Sequence, residues 1–211
     1  ILIVASVILF RKKYKEYIPS FKYVDFKHFN DLFSLGGKFF IIQISGVVIY
    51  QSTFFLITHV GGPEDVVVYG VAFKYFTIAT MLFKIVLQPI WSATTEAFHL
   101  KDYQWIKNTM RKLKYLGIVF AIGIVFALYI SDFAYHLWIK DRVSIPFMVS
   151  VFVAIKAIIY VLFAPYVAFL NGVSKISLNL ILVVIQTGFF IPIALYLGNG
   201  LGLGIVGILI A

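Results

Sequence analysis

Residues 66–94 read VVVYGVAFKYFTIATMLFKIVLQPIWSAT. The stretch is longer than the roughly 20 residues that a helix needs to cross a bilayer, and its charged residues are Lys74 and Lys84 alone. Four more runs have the same character, at 34–58, 114–138, 144–170 and 176–197, and two shorter apolar runs flank them at 1–10 and 201–211. Runs such as 118–130 are apolar on consecutive positions, which excludes the alternating strands of a membrane barrel. The spacing predicts an all-α, polytopic transmembrane helix bundle.

The whole chain agrees. Of 211 residues, 62% are apolar and 13% charged. Soluble domains carry about twice that share of charge, so the solvent for most of this surface is lipid. There is no cysteine, which removes disulfides, thiolate metal sites and a cysteine nucleophile. The run at 1–10 lacks a basic start and a small-residue cleavage site, unlike a signal peptide. Both ends fall inside apolar runs, and the expectation is an interior piece of a longer protein, with 201–211 a truncated helix.

The net charge of +9 is distributed by side rather than spread evenly. Loop 11–33 carries Arg11, Lys12, Lys13, Lys15, Lys22 and Lys27; loop 96–115 carries Lys101, Lys107, Arg111, Lys112 and Lys114; Lys38 and Lys175 join the same side. Lys140 and Arg142 stand on the other. The positive-inside rule therefore places 11–33, 96–115 and the turn at Lys175 in the cytoplasm, and the short loops 59–65 and 139–143 outside. This charge follows the membrane and gives no reason to invoke nucleic acid. A cysteine introduced at Gly62 is expected to react with an impermeant thiol reagent in intact cells and one at Ser20 is not; the reverse pattern would invert the topology.

Segment 99–113 spaces Leu100, Tyr103, Ile106, Met110 and Leu113 between cations, the pattern of an amphipathic helix in the headgroup layer. Trp91, Trp105 and Trp138 suit the interfacial belts. Gly123, Ala127 and Ser131, at four-residue steps, suggest a small-residue packing seam.

Three cations remain within spans: Lys74, Lys84 and Lys156. Each costs about 2.5–3.5 kcal/mol at a helix centre, and no acid lies at comparable depth to offset it. At about 100° per residue Lys74, Thr77, Met81, Lys84 and Gln88 share one stripe. Helix 34–58 has Gln43 and Tyr50 seven apart, and helix 176–197 has Asn179 and Gln186 at the same spacing. Lipid satisfies none of these groups, so they are expected to face a water-filled path or protein, with Lys74, Lys84, Lys156, Thr77, Gln88, Gln43, Tyr50 and Gln186 as candidate substrate-binding residues. Snorkelling of Lys74 and Lys84, or pairing of Lys156 with an acid elsewhere, is the structural alternative. No catalytic residues, cofactor or metal are expected: His28, His59, His99 and His136 have no ligand spacing, and no Gly-rich phosphate loop occurs.

Three stretches, Gly37-Lys-Phe-Phe-Ile-Ile-Gln-Ile-Ser-Gly, Val66-Val-Val-Tyr-Gly-Val-Ala-Phe-Lys-Tyr, and Gln88-Pro-Ile-Trp-Ser-Ala-Thr-Thr-Glu-Ala-Phe-His-Leu-Lys-Asp-Tyr-Gln-Trp-Ile-Lys, resemble the Wzx-type O-antigen and polysaccharide flippases of the MOP exporter superfamily. Phe169-Leu-Asn-Gly-Val-Ser-Lys-Ile is similar to the short inner turn before that family's eleventh helix. The resemblance implies a two-lobed, MATE-like fold in which 1–10 ends helix six, 11–33 is the basic cytoplasmic inter-lobe loop, and 34–211 is the C-terminal lobe. It also implies a bacterial inner-membrane exporter of lipid-linked oligosaccharide with an anionic undecaprenyl pyrophosphate, completed by an N-terminal lobe and acting by alternating access rather than as an enzyme. A MATE-like cation-coupled exporter of small molecules is the alternative in the same superfamily. A membrane-embedded glycosyltransferase or polymerase, using outer acids such as Glu64 and Asp65, is the alternative of another class.

Overall fold

The computed structural model describes Phe10, Tyr14, residues 29–140 and residues 143–211. The helix end expected at 1–10 and most of the basic loop expected at 11–33 lie outside the described residues. The chain divides into two units, Ile1–Gly37 and Lys38–Ala211. In the first, Phe29 and Phe33 stack with ring centroids 5.6 Å apart, one helical turn of separation.

Among the described residues every regular element is helical: α1 (Phe29–Gly61), α2 (Pro63–His99), α3 (Tyr103–Tyr129), α4 (Ser131–Ile139), α5 (Phe147–Gly172), α6 (Ile176–Leu195) running into a π-helical turn (Tyr196–Gly200), and α7 (Gly204–Ile210). Five helices are long and apolar enough to cross a membrane. The chain is an all-α, multi-pass bundle. Four of the spans lie within about five residues of their expected bounds, the exception being 114–138, and residues 29–33, expected in the loop, already belong to α1.

The heart of the second unit is α2, α3 and α5. α5 lies against both of the others, and its broadest contact is with α2. Ala72, Phe76, Phe83 and Leu87 of α2 meet Val153, Ala154, Ala157 and Val161 of α5, while Leu113 and Ile124 of α3 close the cluster. Lipid is as apolar as these side chains, so what holds them is close packing rather than transfer out of water. Close approach needs small residues. A side-chain carbon at Gly117 would lie 2.8 Å from the carbonyl oxygen of Val161, and one at Gly172 would lie 2.9 Å from Thr94. Thr94 and Thr95 meet Gly172 at one end while Phe76 and Thr77 meet Val153 and Ala157 nearer the other, so α2 and α5 run in the same direction.

The seam expected at Gly123, Ala127 and Ser131 is displaced. Gly123 is exposed with open space beside it. Gly117, Ile124 and Ser131, at steps of seven, are among the buried positions on α3 and its continuation, and this register turns Gly123 outward by about one residue's rotation. The headgroup-layer helix expected at 99–113 is likewise not a separate element. Asp102 caps α3 by accepting from the backbone N–H of Trp105 at 2.9 Å, and the helix then runs unbroken from Tyr103 to Tyr129. Ile106 and Leu113 are buried against the bundle, whereas Leu100 and Tyr103 of the same expected stripe are exposed. The expected span 114–138 breaks at Ile130, after which Ser131 is buried and the Tyr135 hydroxyl hydrogen-bonds Ser150 of α5 at 3.0 Å. That bond holds α4 onto α5.

α1 is held differently. Phe54 meets the rings of Tyr69 (5.1 Å) and Phe73 (6.4 Å), Tyr50 meets Phe73 (5.6 Å), and Phe39 stacks on Trp91 (5.4 Å). Large rings keep the backbones of α1 and α2 apart. Lys38 donates to the Ser177 hydroxyl at 3.3 Å and ties α1 to the start of α6.

Candidate functional site

The parallel pair α2 and α5 is in contact along its core edge and open along the other. The open edge forms two chambers in series. The outer, of 260 Å³, is lined by Tyr69, Phe73, Phe76, Thr77 and Thr80 from α2 and by Val153, Lys156, Ala157 and Tyr160 from α5. The inner, of 800 Å³, is lined by α2 from Met81 to Trp91 and by α5 from Ile159 to Asn171, with Lys84, Gln88, Tyr160 and Asn171 its polar side chains. Tyr160 belongs to both chambers. Gln88 and Trp91 also line a shallower hollow of 600 Å³ that continues past Ser92 and Thr95 to Glu96 and His99. From Lys156 to Asn171 the groove runs about 22 Å along α5, at about 1.5 Å per residue.

Sequence order explains why these groups share an edge. On α5, Lys156, Tyr160, Phe163, Val167 and Asn171 follow steps of four, three, four and four, one continuous helical face. On α2, Thr77, Met81, Lys84 and Gln88 do the same. The buried faces beside them, Phe76, Phe83 and Leu87 against Val153, Ala157 and Val161, fix the rotation of both helices and so aim the polar edges together.

Lys84 and Lys156 are exposed to the groove, and neither makes a hydrogen bond or ion pair with another described residue. The described acids Glu64, Asp65, Glu96, Asp102 and Asp132 lie within about a turn of helix ends. Among the described residues no three His, Cys, Asp or Glu side chains converge. Glu64 and Asp65, the acids of the glycosyltransferase alternative, sit in the first turn of α2, where they complement its unpaired N–H groups. The groove thus offers two fixed positive charges, hydroxyls, two carboxamides and aromatic walls. It suits an anion attached to a larger, partly apolar body.

The candidate residues divide. Thr77, Lys84, Gln88 and Lys156 line the chambers. Lys74 does not: it is exposed outside both linings, because the α2 face that includes it turns away from α5 at that height. Tyr50 stands behind the outer wall and touches it through Phe73. Gln43 on α1 and Gln186 on α6 are exposed away from the groove, since seven-residue spacing marks a face without saying which neighbour covers it.

Tyr160, Asn171 and Trp91 line the groove although the sequence did not single them out as binding residues. For Tyr160 and Asn171 the signal was the spacing from Lys156. Trp91 reads equally well as an interfacial residue, and only the fold turns it toward α5. The Oδ1 atom of Asn171 is buried with no hydrogen-bond partner. The chain matches no protein-family model, no curated protein and no solved structure.

Proposed function

We propose that the chain is the C-terminal lobe of a bacterial inner-membrane transporter that exports an oligosaccharide carried on a polyprenyl pyrophosphate, by alternating access between two lobes. The observation that carries this reading is the pair Lys84 and Lys156, unpartnered among the described residues and open to one groove within the spans. A pyrophosphate crossing the bilayer and a lone lysine inside it face the same low dielectric, so bringing them together lowers the cost of both. Thr77 and the Tyr160 hydroxyl supply donors between the two charges, while the Thr80 hydroxyl donates to the Thr77 carbonyl at 3.0 Å. The outward faces are apolar, with Phe40, Ile44, Phe126 and Phe189 exposed, so a polyprenyl tail can stay in the bilayer while its head group follows the groove. No covalent step is required.

The test uses the full-length protein in sealed vesicles whose lipid-linked oligosaccharide has been cleared from the outer leaflet with a glycosidase. Reappearance of cleavable oligosaccharide outside, slowed by Lys84→Ala and Lys156→Ala, is expected. No reappearance above protein-free vesicles, with extrusion of a planar organic cation by the same protein, would favour the cation-coupled exporter instead.

A further inference from the structure

We infer that the first half of α3 is a binding site for an anionic phospholipid, with the headgroup held by Lys107, Arg111 and Lys114 and the acyl chains laid along Ile118, Ile122 and Val125. The site is independent of the transport reading: it lies on α3, outside the linings of both chambers.

These six residues follow steps of four, three, four, four and three, so at about 100° per residue they share one face about 80° wide. The face stands about 120° around α3 from Ile106, Leu113, Gly117 and Ile124, which are buried in the bundle. All six are exposed, Ile122 by 65% and Val125 by 55%. Along the helix this face changes character once, from cations to branched apolar side chains, between Lys114 and Ile118. A phospholipid presents its phosphate and then its chains in the same order. The exposed Tyr115 puts an amphipathic ring at the level of the change. With 27 residues α3 is about 40 Å long, against a hydrocarbon core of about 30 Å, which leaves about 10 Å of it for the headgroup layer.

Within the chain the cations have no compensation. Lys107 and Arg111 are four apart and Arg111 and Lys114 three apart, spacings at which like charges on a helix repel. No acid occurs between Asp102 and Asp132, and the Asp102 carboxylate already accepts from the Trp105 N–H at 2.9 Å. None of the three cations makes a hydrogen bond or ion pair with another described residue. Membrane orientation asks only that a loop contain cations, not that they align on one helix face, and loop 11–33 already carries six. An external anion is the partner that this alignment fits. Arg111 stands in the middle, where its guanidinium can give two parallel N–H bonds to a phosphate, and the two lysines flank it as point charges. Lys112 lies about 120° away from the stripe and serves as a control.

The absence of cysteine from these residues gives the test a site-specific probe. Ile118→Cys, tagged with bimane, is placed in the full-length protein with any cysteine outside this chain replaced by Ser. The protein is reconstituted in dioleoylphosphatidylcholine bilayers, and quenching is measured as brominated-chain phosphatidylglycerol or brominated-chain phosphatidylcholine is added. Phosphatidylglycerol is expected to occupy the site with a preference of about tenfold or more, since each cation beside an anionic headgroup contributes about fivefold. Lys107→Gln, Arg111→Gln and Lys114→Gln together should bring the preference close to unity, whereas Lys112→Gln should leave most of it and Lys107→Arg with Lys114→Arg should keep it. Equal quenching by the two lipids would overturn the site, and absence of quenching by both would mean that protein covers the face. A preference that survives the triple Gln variant, or falls as far with Lys112→Gln as with Arg111→Gln, would assign it to diffuse charge and remove the stripe. Reversal of the preference by inorganic phosphate, beyond what chloride does at equal ionic strength, would make the stripe a site for a soluble phosphate instead of a lipid.

Discussion

Replacing Lys156 by Glu is expected to abolish surface polysaccharide export while the amount of protein in the membrane stays unchanged. Lys156 makes no ion pair with any described residue, so its replacement breaks none among them. It does face the outer chamber, where a carboxylate would repel the anion in a medium that screens poorly. A penalty of about 3 kcal/mol or more, over a hundredfold in rate, is expected from exchanging attraction for repulsion there. Lys156→Arg keeps the charge and should retain part of the export. The measurement is polysaccharide at the cell surface against membrane-fraction protein level. Normal export by the Glu variant would remove Lys156 from the mechanism, and disappearance of the protein would mean that the lysine is paired with an acid outside the described residues.

The second large effect is structural. Gly117→Leu must place its first side-chain carbon 2.8 Å from the Val161 carbonyl oxygen, and that oxygen belongs to helix backbone that cannot swing aside. α3 and α5 have to separate, which loosens the wall behind Val161 and Ala157. Overpacking of a well-filled core costs about 1–3 kcal/mol per site, and Leu is expected at or above the upper end. Thermal unfolding of the detergent-purified protein should shift down sharply and its yield should fall. Gly123→Leu, with open space in place of a neighbour, should change stability by no more than about 0.5 kcal/mol. Equal behaviour of the two variants would show that the helices do not meet at Gly117.

Much of this architecture was legible from run length alone, because a bilayer demands about 20 apolar residues and nothing else in the chain supplies them. Breaks were harder to see. Segment 99–113 read as a surface helix because its apolar residues are spaced between cations, yet no Gly or Pro stands between 103 and 116 to end a helix, and from Tyr103 on the segment is the start of α3. The break at Ile130 has no Pro or Gly to announce it, and the Tyr135 to Ser150 bond that follows it is a contact between elements. The site was legible to the extent that a polar residue in an apolar helix must be satisfied somewhere. That rule found Thr77, Lys84, Gln88 and Lys156. It also marked Gln43 and Gln186, because periodicity defines a face but not its neighbour. Lys74 shows the limit most clearly: it shares a stripe with Lys84 about 15 Å away along α2, yet only the lower part of that stripe is opposite α5.

The common direction of α2 and α5 has an electrostatic consequence. Peptide dipoles add along a helix to about half a positive charge at its N-terminus and half a negative charge at its C-terminus. On the topology set by the loop cations, both N-termini face outside and both C-termini face the cytoplasm. Glu64 and Asp65 offset the positive end of α2, whereas the first turn of α5 holds no acid. On that topology α5 sets up a field along the groove that draws an anion outward, which under the proposed function is the direction of export, and lysines near mid-depth stand where the two ends of that dipole nearly cancel. An antiparallel partner would have set its own dipole against that slope.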